Sequence, residues 1–242
     1  MNLNQLFCDF ANGILSRTQH LTEDSIRYYF FSCMQRQDLE LNHYVMELPY
    51  AEMNNKNTGD VQMNCISSLK KSSKGLKQEL DLYYKSDEII CAEFKFHRGK
   101  GRLTARAGEI FNDMRRLQFI TSSSASHIHR LFVYITDEEM HKYFLKESST
   151  QSISAYRSNL RDFYSRGGHF DYDTSSGKGT FYNKANESFC SSNSTNINVT
   201  SVLLFSLSSY THKFMNNCHI SIFEVSPIVN NTNAESTIEC KK

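Results

Sequence analysis

ELDLYYKSDEIICAEFKFHR, residues 79–98, is the stretch on which the reading of this chain turns. Successive side chains of a strand point to opposite faces, so positions i and i+2 share one. From Ile89 to His97 one face reads Ile90, Ala92, Phe94 and Phe96, apolar throughout. The other reads Ile89, Cys91, Glu93, Lys95 and His97. In the preceding segment Leu80, Leu82 and Tyr84 share one face, Asp81 and Tyr83 the other. Lys85-Ser86-Asp87-Glu88 between them supplies turn residues, so the stretch reads as a hairpin. A loop at 86–88 pairs 85 with 89, 83 with 91 and 81 with 93. Asp81 and Glu93 then stand opposite one another, their Cβ atoms about 4.5–5.5 Å apart. A loop one residue longer or shorter puts them on opposite faces.

Two facing carboxylates repel, and become tolerable when a cation sits between them. Clustered carboxylate oxygens suit Mg²⁺, which takes a few of them and keeps several waters. Lys95 on the same face adds a positive donor that can stabilise charge on a phosphoryl group or orient a water. This chemistry is metal-assisted phosphodiester hydrolysis. The other reading of an isolated E-x-K is a solvated hairpin face of alternating charge.

Outward from the hairpin, Leu21 to Gln37 reads as a helix. Thr22 is its N-cap, Glu23 and Asp24 fill its first turn, and Ile26, Tyr29, Phe30, Cys33 and Met34 make its apolar stripe. Glu23 lies at the edge of that stripe, where it favours the helix dipole or points at the sheet. Residues 42–50 read as a strand containing Glu47, and 53–78 as a polar loop. After the basic loop 98–102, Leu103 to Ile120 reads as a helix. Its stripe is Leu103, Ala107, Ile110, Phe111, Met114 and Leu117, with Arg102, Arg106, Glu109, Asp113 and Arg116 opposite. Leu131–Ile135 is a continuous apolar run, hence a buried central strand. Thr136-Asp137 caps a helix reaching about Lys146. The order is helix, three strands, helix, strand, helix. Residues 148–200 are rich in Ser, Asn and Thr and read as an insertion, with a helix near 154–164 and a hairpin or loop over 170–182. Val202–Ser208 and His219–Val225 read as closing strands. The expectation is one domain over 1–242, with its core at about 20–147 and 201–226.

The 242 residues suffice for a sizeable core, and 39% hydrophobic with 22% charged residues is a globular composition. No apolar run is long enough for a transmembrane helix, and the N-terminus has no basic start or clean apolar segment. Seven scattered cysteines without C-x-x-C spacing suggest reduced thiols and a cytoplasmic location. Net charge is only +1, but its distribution is uneven. Residues 61–78 carry four lysines and no acid; Lys95 to Arg116 carry seven Lys or Arg against two acids. Both basic stretches flank the hairpin.

The helix–strand–strand–strand–helix–strand order, with Asp81 in the second strand and Glu93-x-Lys95 in the third, resembles the PD-(D/E)XK nuclease superfamily over about residues 20–147. The one departure is Leu80 where the motif's proline stands. The resemblance implies a fold of class α/β (an α+β mixed sheet flanked by helices) and a Mg²⁺-dependent deoxyribonuclease, with Mn²⁺ as a substitute. Asp81 and Glu93 would ligate metal, Lys95 would be the catalytic lysine, and Glu23, or else Glu47, would add a further acid. Lys70, Lys71, Lys74, Arg98, Lys100, Arg102, Arg106 and Arg116 would contact phosphates, which position a nucleic acid without reading its sequence. The expected partner is DNA, with no membrane, and a homodimer is compatible. Restriction or another anti-phage role would suit the family. The rival expectation is a non-catalytic scaffold that binds nucleic acid or protein.

Overall fold

The hairpin closes with the loop at 86–88. β3 (Glu79–Lys85) and β4 (Ile89–His97) pair antiparallel, Lys85 with Ile89, Tyr84 with Ile90, Tyr83 with Cys91 and Leu82 with Ala92. The computed structural model describes residues 1–17, 20–50, 53, 61–63, 69, 79–122, 127–146, 151–172, 179–189, 196–209 and 217–228, the side chains of 151–157 excepted.

β1 (Tyr44–Pro49) lies outside β3, antiparallel, with Met46 opposite Leu82 and Leu48 opposite Leu80. On the other side of β4 runs β6 (Ile128–Asp137), parallel to it from Ile89↔Ile128 to His97↔Thr136. A parallel neighbour needs a crossover, which α3 (Leu103–Gln118) supplies. Beyond β6 come β9 (Cys218–Val225), β8 (Ile197–Ser209) and β7 (Gly167–Tyr172), giving a seven-stranded mixed sheet in the order β1-β3-β4-β6-β9-β8-β7. β2 (Val61–Met63) and β5 (Ile120–Ser122) form a separate antiparallel pair. The fold is α+β. Among the described residues no helix is long and apolar enough to cross a membrane.

Helices cover both faces. α1 (Leu3–Ser16) and α2 (Glu23–Gln35) pack Phe7, Phe10, Ile26, Phe30 and Met34 against Leu82, Ile90, Ala92, Phe94, Leu131 and Val133. The sequence reading placed no helix before Leu21, so α1 is an addition. Thr22 caps α2 as expected, accepting from the Ser25 N–H at 3.1 Å. On the opposite face α3, α4 (Glu138–Leu145), α5 (Gln151–Arg166) and α6 (Thr180–Ala185) form the second core, with Phe111, Phe144, Phe163 and Phe181 over Cys91, Phe132 and Phe223. Asp137 caps α4 by accepting from the Met140 N–H.

Within 148–200 two details differ from the sequence reading. β7 pairs with β8 rather than folding back within 170–182, and β8 begins at Ile197, before Val202. α6 sits so closely on α3 that a Cβ on Gly108 would stand 2.5 Å from the Phe181 carbonyl oxygen and 2.7 Å from the Lys184 Cβ.

Candidate functional site

The last β3–β4 ladder pair is Leu82↔Ala92. From there β3 stays with β1 through Leu80 and Glu79 and parts from β4. A strand edge released from its ladder leaves N–H groups that must be satisfied elsewhere. Side-chain carboxylates do so here. The Phe94 N–H donates to Asp81 Oδ2 at 2.7 Å, and the Phe96 N–H to Glu23 Oε2 at 3.2 Å. The fork thus carries Asp81 from β3 and Glu23 from the first turn of α2, on either side of Lys95.

Glu93 is 2% exposed and lies under α3, so the charged face of β4 is buried at Glu93 and opens to solvent only in part at Lys95. It accepts from the Tyr50 hydroxyl and from Arg116 Nη2 at 3.0 Å. Arg116 Nη2 also meets Asp113 Oδ1 at 2.9 Å. Asp113 Oδ2 is 3.2 Å from Lys95 Nζ, and Lys95 Nζ is 3.7 Å from Glu23 Oε1. Arg27, from α2, puts Nη2 2.9 Å from Asp81 Oδ1 and Nη1 2.7 Å from Glu47 Oε1. Glu23, Asp81, Glu93 and Asp113 thus face Arg27, Lys95 and Arg116, a surplus of acid.

Burial, and after it the surplus of acid, shows in the proton affinities. Burial raises the Glu93 carboxyl; Arg116 opposes it, and the Asp81 charge adds to the rise. Burial lifts Asp81 to about 6, against Arg27 and the Phe94 N–H, with Glu23 and Asp113 contributing. At Asp113 burial acts in the same sense, but Arg116 and Lys95 outweigh it and hold the group low. Lys95 is held well above the ordinary lysine value by Asp113, against burial, so it stays charged. Buried carboxyls with raised values beside a charged lysine are a physical mark of functional sites.

No model of a known family, no curated protein and no solved structure matches the chain. Its functional reading therefore rests on this geometry.

The structure brings Asp81, Glu93, Lys95 and Glu23 to the fork. Glu47 is drawn aside by Arg27 and is 55% exposed. Arg116 was expected at phosphates, but its side chain is only 13% exposed and its guanidinium is held between Glu93 and Asp113. Arg106 Nη1 is committed to the Gly99 carbonyl at 2.7 Å, so it braces the basic loop. Arg98, Lys100 and Arg102 are exposed; among the described residues Lys100 and Arg102 make only long ion pairs, 3.7 Å to Glu139 and 3.9 Å to Glu109. Lys70, Lys71 and Lys74 lie outside the described residues. The sequence reading missed Arg27, Tyr50 and the inward role of Asp113. The signal for Asp113 was its i, i+3 spacing to Arg116 on one side of α3.

All the fork acids are hard oxygen donors, the chemistry Mg²⁺ prefers. A divalent cation there would offset the burial and the neighbouring charges that raise Asp81 and Glu93; the donors suit it in kind, but no three of them bring ligand atoms within 4.8 Å of one another, so their side chains would have to turn from Arg27 and Arg116 toward the ion. Without an ion, the fold favours protonated Asp81. Its contribution to stability is complete below the ordinary value of 3.8 and is lost as pH rises through about 6. Asp81→Asn removes this dependence. In metal-free buffer the urea midpoint of the variant should therefore gain on the parent's as pH rises through that window. Parallel curves would mean that Arg27 cancels the burial of the charge.

Proposed function

We propose that the chain is a divalent-metal-dependent nuclease of the PD-(D/E)XK type, which hydrolyses phosphodiester bonds of DNA with Mg²⁺, or with Mn²⁺ in its place. One observation carries the reading. Asp81 leaves the ladder at a fork beside Glu93 and Lys95, within the order α2-β1-β3-β4-α3-β6. An antiparallel trio joined through a helix to a parallel strand is the core order that the sequence resemblance implies.

Asp81, Glu93 and Glu23 would hold the metal, which when bound supplies an activated water and polarises the phosphate. Lys95, 23% exposed at the mouth of the network, keeps its proton and presents positive charge where the phosphoryl group gathers negative charge. Asp113 positions the Lys95 ammonium, and Arg116 with Tyr50 fixes the Glu93 carboxylate. The exposed loop Arg98–Arg102 offers the phosphate contacts.

The test is a cleavage panel of duplex, single-stranded and branched DNA and RNA with Mg²⁺ or Mn²⁺. DNA cleavage lost in Asp81→Asn supports the reading. The same variant should bind DNA in metal-free buffer at least as tightly as the parent, since it removes a charge that repels phosphate. Weaker binding by the variant would place Asp81 in fold maintenance instead. Neutralising Arg98, Lys100 and Arg102 together should weaken binding alike for all sequences. Each phosphate-binding charge removed takes roughly 0.9 from the slope of log affinity against log salt on duplex DNA. An unchanged slope would move the nucleic-acid surface away from this loop.

A second reading, a non-catalytic scaffold, is favoured by the pairing of Asp81 with Arg27 and of Glu93 with Arg116, which gives each carboxylate a cation of its own. It predicts no cleavage anywhere in the panel and a melting temperature indifferent to Mg²⁺ and Mn²⁺.

A further inference from the structure

His127 immediately precedes β6, His129 is its second residue, and Glu224 stands near the end of β9. Positions i and i+2 of a strand share a face, so the two imidazoles project together. The register pairs Leu131 with Glu224, which puts Glu224 diagonal to His129, within reach of a long side chain. The three meet. His129 Nδ1 is 2.9 Å from Glu224 Oε1, and His127 Nε2 is 3.8 Å from the same oxygen. The two rings stand edge to face, centroids 4.4 Å apart. One ligand atom from each residue lies within 4.8 Å of the other two, and no other His, Cys, Asp or Glu trio among the described residues does this.

From this geometry we propose a second metal site, independent of the fork: His127, His129 and Glu224 bind one borderline transition-metal ion of the Zn²⁺ class, with its remaining positions open to solvent.

The donor set selects the ion. Imidazole suits Zn²⁺, Co²⁺ and Ni²⁺, whereas Mg²⁺ takes oxygen. Tetrahedral bonds of about 2.0 Å imply ligand atoms roughly 3.3 Å apart. The 2.9 and 3.8 Å separations bracket that value, so small side-chain rotations suffice. Among the described residues Glu224 has no ion pair to Lys or Arg within 4.0 Å; the two histidines are the side chains at its carboxylate. The nearby Arg130 is turned to backbone, donating to the Ile120 and Ile128 carbonyls. His127 is 69% exposed, which leaves one side of the trio to water or to an incoming ligand. Three protein ligands with an open position are the pattern of zinc sites that bind or activate a further group.

The site is separate from the fork in face as well as in chemistry. His127 and His129 share parity with Leu131 and Val133, which pack under α1 and α2, and Glu224 shares it with Ile220 and Ile222. Glu93 lies on the other face, paired in register with Phe132 further along β6.

The experiment is titration of the metal-free, reduced protein with Zn²⁺ by calorimetry and with Co²⁺ by visible absorption. Expected, with Mg²⁺ in excess to occupy the fork, are one equivalent bound and a cobalt spectrum without a thiolate charge-transfer band. His127→Ala and Glu224→Gln should each weaken binding at least tenfold, and Asp81→Asn should leave it unchanged. His127 is exposed, so its metal-free variant should keep the parent's urea midpoint. Absence of stoichiometric binding would overturn the site. So would a thiolate band, or affinity unchanged in both variants, since the ion would then sit elsewhere.

Discussion

Arg116→Met should cost the fold about 3–5 kcal/mol, the usual cost of leaving buried charges without their partner. The guanidinium contacts Glu93 at 3.0 Å and Asp113 at 2.9 Å and lies 5.6 Å from the centre of the Tyr50 ring. Methionine fills much of the volume but, among the described residues, leaves Glu93 without its cation, with the Tyr50 hydroxyl as its remaining donor, and leaves Asp113 with Lys95 alone as its cation. Urea denaturation at neutral pH measures the loss. Adding Glu93→Gln should recover part of it, because residues in one network are coupled rather than additive. Lowering the pH should shrink the loss as well. Glu93 already favours its proton, and the protonated carboxyl needs no cation. A loss below about 1 kcal/mol at neutral pH, the scale of an exposed pair, would mean that solvent reaches the network and screens it.

Lys95→Ala should lower cleavage by about 10²–10³-fold, the scale seen when one donor to a developing oxyanion is removed. Its effect on the fold should be smaller than that of Arg116→Met. Asp113 keeps Arg116 as a partner, and Glu23 keeps the Phe96 N–H. Lys95→Arg should not restore activity, since a planar fork does not reproduce a compact ammonium between Asp113 and Glu23. Rates are to be compared at saturating Mg²⁺ with melting curves run in parallel. A variant that cleaves at the parental rate would remove Lys95 from the chemistry. One that fails to fold would make the lysine a structural ion-pair partner.

The hairpin was legible because two short-range signals agreed. Period-2 alternation set the faces of β4, and the turn residues at 85–88 set the register observed from Lys85↔Ile89 to Leu82↔Ala92. Thr22 and Asp137 were legible as caps because capping is a local hydrogen bond. The fork was not. That β3 parts from β4 at Leu82 depends on β1 and α2, which no local pattern of Asp81 reports. Arg116 was misplaced for a related reason. The polar side of an amphipathic helix ordinarily faces water, and here part of it faces the charged side of a strand. The Ser- and Asn-rich composition of 148–200 hid β7 and α6, whose burial comes from partners far along the chain. The His127–His129–Glu224 trio needed the β6–β9 register, which joins residues some ninety positions apart.

The notch at Gly108 bears on how the protein can be dissected. A fragment cut to residues 20–147 would keep Asp81, Glu93 and Lys95 yet lose α6, the helix that rests on α3 at that glycine. Arg115 would lose the Ala185 carbonyl and the Asn186 side chain, and Asn112 would lose Ser188. The helix that carries Asp113 and Arg116 would then be anchored from one side only. Minimal versions of this protein should be drawn to include residues 179–189, however unpromising that stretch looks as text.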